Sequence, residues 1–351
     1  MNKNNNNKNA DTKVANKDKN LLMQLKKFSA PSIKRSITQL GLTAGVFVGL
    51  WVLMWFSLSW SYWITLALAV PAGGFMIRLF IIQHDCGHGS YFRSAMVNNW
   101  VGRVLGVFTL TPFDYWRREH AEHHASAGNL DRRGTGDITT LTVDEYEALP
   151  RIKRILYRLY RNPIVMFGIG PIYIFMLKHR LPLGKSFRKP KIWSNVVMTN
   201  ALIVLLTIGM IYIIGPIDLL KIQIPVVLIA SATGIWLFFV QHQFEHIYWR
   251  REDEWDYNDA ALLGSSHYRL PKFLQWLTGN IGIHHIHHLY SKIPNYRLPE
   301  CLERIPELQK ATRLTLFKSL GCVRFALLDE KESRMISFRD FKKRIKNRHG
   351  K

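Results

Sequence analysis

The sequence predicts an all-α integral membrane protein: a bundle of four transmembrane helices capped by a cytoplasmic helical region that carries the metal site. Three observations in its 351 residues lead there. Four apolar runs are long enough to cross a bilayer. Three histidine clusters with helical spacing lie at or beyond the ends of those runs. Lys and Arg, which give a formal net charge of +23, are gathered in segments that all fall on one side.

Residues 1–35 open with an Asn/Lys-rich stretch of low complexity, which cannot bury enough apolar area to offset its chain entropy and is expected to be disordered. The membrane domain is then expected over 36–320. Its first run, Leu40 to Trp60, has no charge and at ~1.5 Å per residue spans a ~30 Å bilayer core. The second, Tyr62 to Ile82, is interrupted by Arg78, close enough to the end of the run to snorkel to the headgroups. Between them Trp and Tyr cluster at the tip of a membrane hairpin. Trp100 to Phe113 is apolar but short and holds Arg103, so an interfacial helix is expected. Asn162 to Leu177 is also short and contains Pro171, which favours an interfacial segment over a span. Trp193 to Ile214 and Ile222 to about Val240 are the third and fourth spans. Residues 321–351 read as a basic C-terminal tail.

The short outer turns carry almost no Lys or Arg. The N-terminus, the 85–192 loop and the C-terminal part carry nearly all of it. With four spans, all three histidine clusters therefore face the cytoplasm. A bacterial cytoplasmic membrane with an anionic inner surface suits this charge better than nucleic acid, for which the chain shows no binding motif. Three cysteines without a CxxC pair make neither a disulfide framework nor a zinc ribbon and suit a reducing compartment. The first thirty residues lack the apolar core of a signal peptide.

The clusters share one grammar. His84 and His88 are one turn apart; His120, His123 and His124 stand at i, i+3 and i+4; His284, His287 and His288 repeat that triplet. On a helix each set shares a face. Eight of the 14 histidines are thus accounted for, too many imidazoles for one ion, so two metals are expected. A carboxylate-free ligand set differs from soluble di-iron bundles and from thiolate-rich structural zinc. A redox-active pair at the cytoplasmic mouth of a greasy bundle suits dioxygen chemistry on an unactivated C–H bond of a lipid-soluble substrate.

The boxes HDCGH, HAEHH and HHIHH, in that order and spacing, resemble those of the membrane fatty acid desaturases. The segments GNLDRRGTGDITTLTVDEY and GIHHIHHLYSKIPNYRL are similar to the bacterial delta-12 (omega-6) acyl desaturase branch, and the likeness covers roughly residues 40 to 310. The resemblance implies oxygen-dependent insertion of a cis double bond into an acyl chain by two iron ions, with dioxygen as co-substrate. Electrons would come from a separate ferredoxin or cytochrome. Carried over by position, its ligands fall on His84, His88, His120, His123, His124, His284, His287 and His288. A ninth lies just after the fourth span, where the QHQFE context favours His242 over His246, one turn on.

Other residues have plainer readings. Asp85 and Glu122 either accept hydrogen bonds from ligand imidazoles or are solvated helix-face acids. Cys86 is a small packing residue. His285 points to another face of its helix. His179, His267 and His349 are surface or hydrogen-bonded histidines. A lipid, alkane or carotenoid hydroxylase on the same scaffold is the enzyme alternative, and a metal transporter or sensor the alternative of another class. A transporter would place its ligands near the bilayer midplane, and these spans are nearly free of ionisable residues.

Overall fold

The computed structural model describes residues 19–134, 136–181 and 189–349, with side chains described to residue 347. Helix α1 covers 19–26. Helices α2 (Ile33–Ser57) and α3 (Tyr62–His88) form a hairpin, each started by a serine, Ser32 and Ser61, whose hydroxyl accepts a backbone N–H of the first turn. Helix α4 (Ala95–Phe108) leads through a tight turn to α5 (Phe113–Ser126). Strand β1 (Leu141–Thr142) precedes α6 (Val143–Ala148) and α7 (Arg151–Tyr160), followed by the short apolar helix α8 (Val165–Lys178). Helices α9 (Pro190–Ile214) and α10 (Pro216–His242) make the second hairpin, turning at Gly215 with φ +80°. Beyond it come α11 (Tyr257–Leu263), β2 (His267–Arg269), α12 (Lys272–Leu277), α13 (His284–Leu289), α14 (Leu298–Arg304), β3 (Arg313–Thr315), α15 (Leu316–Leu320), β4 (Phe325–Asp329), β5 (Arg334–Ser337) and α16 (Phe338–His349).

Helices α2, α3, α9 and α10 are the four expected spans, longer than their uncharged runs because the helical hydrogen-bond ladder continues into polar flanks. Helix α3 is the hub, packed against α2, α4 and α10. The approach of α3 to α10 is close: a Cβ at Gly73 would stand 2.7 Å from the Ile229 side chain. The outer faces of the spans display Leu53, Trp63, Leu205 and Tyr212. In lipid such apolar exposure is the solvated state. Both hairpins turn at one end of the bundle. At the other end α3 and α10 stop at His88 and His242.

Several expectations are corrected here. Arg78 does not snorkel. It is 4% exposed and donates to Thr43 Oγ1 at 3.2 Å and to the Trp276 carbonyl, over whose ring it lies at 4.2 Å. A carbonyl at the end of α12 supplied a nearer partner than the headgroups. The interfacial helix expected at 100–113 ends at Phe108, because Leu110 takes φ +54° and Pro112 starts α5. Helix α8 packs Met166 and Pro171 inward and leaves Ile169, Ile172, Tyr173 and Leu177 exposed.

Of the expected 1–35 tail, residues 1–18 lie outside the described residues. Residues 19–35 are folded: Leu25 and Phe28 are buried against Ile286, Leu289 and Ile293. Of the expected 321–351 tail, residues 350–351 lie outside the described residues, and 321–349 are folded. Strand β4 pairs parallel to β1 and antiparallel to β5, Leu141 facing Leu327 and Leu328 facing Met335. Leu327, Ile336 and Phe341 then share a core with Val143, Tyr146 and Tyr157. Charge-rich composition hid the short apolar runs of β4 and β5, which need the distant strand β1 to be buried.

Candidate metal centre

The four carriers of imidazoles converge at the cap end of the bundle. Helix α3 brings His84 and His88 on its last turns, α5 brings His120, His123 and His124, α10 ends on His242, and α13 brings His284, His287 and His288. The carboxyl ends of α3 and α10, where backbone carbonyls lack partners, thus point at the cluster and favour positive charge there. Helix α13 is short, and its entry is tight. A Cβ at Gly282 would sit 2.4 Å from the Tyr268 carbonyl oxygen, so only glycine lets this backbone approach β2.

The nine histidines sort into two groups. His84, His88, His120, His124 and His287 form one; His123, His242, His284 and His288 form the other. Within each group the ligand atoms lie within 4.8 Å of one another. The i+3/i+4 pairs of α5 and α13 are divided between the groups, so each of these helices serves both. All four members of the second group are buried, whereas His88, His120 and His124 of the first are half-buried. Trp116 stacks on His120, with centroids 4.7 Å apart and planes 15° from parallel.

The hydrogen bonds at the back of the rings leave the opposite nitrogens free to face a cation. His123 Nδ1 faces Asp137 Oδ1 at 2.5 Å, and His242 Nδ1 faces the Gly264 carbonyl at 3.3 Å. Both acceptors require Nδ1–H, which leaves each Nε2 as a bare lone pair. These two Nε2 atoms nevertheless stand 3.3 Å apart, and His242 Nε2 lies 2.8 Å from His284 Nε2. Lone pairs crowd in this way when a positive ion sits among them. In the other group His84 Nδ1 lies 3.2 Å from Asp85 Oδ1, and the buried Nε2 atoms of His84 and His88 have no hydrogen-bond partner among the described residues. Burial holds His120, His124, His284, His287 and His288 well below the usual 6.5, and neighbouring imidazoles push the same way. They are therefore neutral, the ligand-competent form. The donor set fits two metal ions.

Two carboxylates orient this set. Asp85 Oδ2 accepts from the Asn295 backbone N–H at 2.7 Å and from its side chain at 2.8 Å, and Asn295 Oδ1 accepts from Gln39 at 2.8 Å. Asp137 was not singled out from the sequence. It follows Gly136, whose φ of +73° brings the chain against the His123 Cβ. The glycine-flanked GTGD sequence after the second box was the available signal. Glu122 instead pairs with Arg118 at 3.3 Å on the helix surface.

The remaining histidines lie elsewhere. His246 is exposed. His285 is buried, but its Nε2 faces the Leu308 carbonyl at 2.9 Å and its ring lies near His267, away from both groups. Burial lowers His285 to about 3 and His267 to about 4. His179 is buried against Tyr115 and Phe175, neither surface-exposed nor near the cluster. The side chain of His349 is outside the described residues. Cys86 is packed at 1% exposure.

Known proteins are similar to this chain over most of its length. The family described as fatty acid desaturase matches residues 61–319. A fatty acid desaturase of Bacillus subtilis (strain 168) is 46% identical over 329 residues, covering 94% of this chain and 93% of its own. A Synechocystis sn-1 acyl-lipid omega-3 desaturase (ferredoxin) is 30% identical, covering 78% of this chain and 76% of its own. A Synechocystis sn-1 oleoyl-lipid 12-desaturase is 26% identical, with 74% and 71% covered. With four membrane-length helices, two histidine groups able to hold metal, and these relatives, the chain belongs to the fatty acid desaturase family, a family of membrane oxidoreductases.

Proposed function

We propose that the protein introduces a cis double bond into the acyl chain of a membrane lipid, with His84, His88, His120, His124 and His287 holding one iron ion and His123, His242, His284 and His288 a second. The single observation that carries this reading is the convergence of nine imidazoles in groups of five and four at the end of a bilayer-spanning bundle. The iron pair would supply the activation of dioxygen and the removal of two hydrogens from adjacent methylenes. The balance is one acyl chain, one dioxygen, two electrons and two protons in, and one alkene and two waters out. The electrons come from a separate carrier.

The chain's own residues do the remaining work. Asp85 and Asp137 hold the Nδ1–H tautomers of His84 and His123, so that Nε2 faces the metals. Burial of His123, His242, His284 and His288 keeps water from that group. The lipid-facing surfaces of α2, α3, α9 and α10 leave an acyl substrate free to approach from the bilayer. Ligands at the ends of α3 and α10, and not at mid-span, oppose a transport role.

The finer form of the proposal is delta-12 chemistry, oleoyl to linoleoyl, on the cytoplasmic face of a bacterial membrane. The relatives' names include both an omega-3 and a 12-desaturase, so bond position is what the test must read. The chain is expressed in a host whose lipids contain oleate but no diene, and lipids are analysed by mass spectrometry of bond-position adducts. A 9,12-diene supports the proposal; a new bond elsewhere overturns the delta-12 form alone; hydroxylated lipid overturns desaturation. Impermeant thiol labelling of single cysteines should reach Gly215→Cys from outside intact cells and Glu330→Cys only after lysis. The reverse pattern defeats the cytoplasmic placement.

A further inference from the structure

Arg161, at the end of α7, is 5% exposed, yet no carboxylate pairs with it among the described residues. Its guanidinium donates to three neutral oxygens: Gln243 Oε1 at 2.8 Å, the Phe325 carbonyl at 2.7 Å and the Thr139 carbonyl at 3.4 Å. The Phe239 ring lies 5.7 Å away. Burying a cation without a counter-charge is costly, and such a group persists where its bonds specify a geometry.

The partners show which geometry that is. Gln243 directly follows His242. Thr139 and Thr140 follow Asp137, whose carboxylate holds His123. The two segments are also joined to each other, Gln243 Nε2 donating to Thr140 Oγ1 at 3.1 Å. Tyr160, one residue before Arg161, receives the Thr139 N–H at 3.0 Å, and the Tyr157 hydroxyl donates to the Thr139 carbonyl at 3.3 Å, so the end of α7 grips this segment through three residues. One planar fork thus ties together the supports of two of the four imidazoles in the buried group. No bond of this network reaches Asp85, Asn295 or Gln39, which support His84 in the other group.

We infer that Arg161 is a positioning residue for the four-histidine site, holding His242 and the Asp137–His123 pair in register so that this site keeps its metal. The inference rests on the two-metal reading above. It also explains why the strand carrying Phe325 belongs to the catalytic unit: its carbonyl is one of the three oxygens that fix the guanidinium.

The test is metal stoichiometry and affinity in the purified full-length protein, titrated with Fe(II) and, for spectroscopy, Co(II). Wild type should bind about two equivalents. Arg161→Met should keep one tight equivalent and bind the other ~10- to 100-fold more weakly, the range seen when an orienting partner is lost. Its Co(II) spectrum should become that of a single uncoupled ion. Arg161→Lys, which cannot reach three acceptors, should show the same selective loss. Arg158→Met is the control: Arg158, on the same helix, donates to the Tyr146 hydroxyl at 2.6 Å and touches neither support. It should bind both equivalents as wild type does. Should Arg161→Met fail to accumulate, Thr140→Val cuts the Gln243 link while leaving the guanidinium in place, and should give a smaller loss confined to the same equivalent. Equal weakening of both equivalents, or none, in the variant that folds overturns the inference. A wild-type stoichiometry below two would instead overturn the two-metal reading.

Discussion

His124 and His288 stack face to face, ring centroids 4.1 Å apart and planes 13° from parallel, although one belongs to the five-histidine group and the other to the four. Helices α5 and α13 therefore meet along the seam between the two sites, and neither site can be built without both. This explains the repeated i, i+3, i+4 triplet. Neighbouring imidazoles on one turn diverge enough to serve two ions.

The first prediction is a ligand hierarchy. Single Ala substitutions at His84, His88, His120, His123, His124, His242, His284, His287 and His288 should each lower diene yield ~100-fold or more, as loss of a group acting in a single unit does, and lower bound iron. His246→Ala and His179→Ala should retain metal, since neither ring approaches the cluster. His285→Ala should also keep its iron, because the ring faces Leu308. Iron per protein and diene yield in membranes at matched expression decide it, and iron loss in His246→Ala equal to that in His242→Ala would refute the assignment.

A second prediction separates the three acids near the boxes. Asp85→Asn and Asp137→Asn should weaken the metals ~10- to 100-fold, because the amide no longer accepts as strongly from the ligand Nδ1–H. Glu122→Gln should change affinity little, its partner being the exposed Arg118. Competition against a chelator of graded strength measures all three. Equal behaviour of Glu122→Gln and Asp137→Asn would remove the special role given to Asp137.

Arg78 yields a stability prediction. Replacing it with Met leaves the Trp276 carbonyl and Thr43 hydroxyl without their charged donor, at a cost of ~1–3 kcal/mol. Lys can reach one acceptor but not both, so Arg78→Lys should fall between Met and wild type. Unfolding midpoints in mild detergent should follow that order. An unchanged midpoint for Arg78→Met would favour a headgroup-seeking side chain after all.

The C-terminal strands yield the fourth. Truncation at residue 320 removes the partners of β1 and bares Val143, Tyr146 and Tyr157. Membrane levels of the protein should fall several-fold, since destabilisation lowers steady-state abundance. A truncated chain that accumulates and desaturates normally would restore the reading of 321–351 as a tail.

The sequence by itself determined whatever depends on local period and composition. An uncharged run long enough for the bilayer must become a helix, because lipid satisfies no backbone group. Imidazoles at i, i+3 and i+4 must share a helical sector. These local rules are why the spans and the grouped histidines of all three boxes were legible, and why His285 could be set apart from its neighbours. Tertiary structure decided whatever depends on partners far along the chain. Arg78 looked like a snorkelling cation because the Trp276 carbonyl that receives it is 198 residues away. The folding of 321–349 waits on a strand at Leu141, and the burial of Leu25 on the apolar side of α13. The choice of His242 over His246 rested on context in the sequence; in the folded chain the helix of α10 ends at His242, and His246 is carried out to the surface. The division of nine imidazoles into five and four is also a matter of how four helices cross, because spacing along one helix cannot say which ion each ring will face.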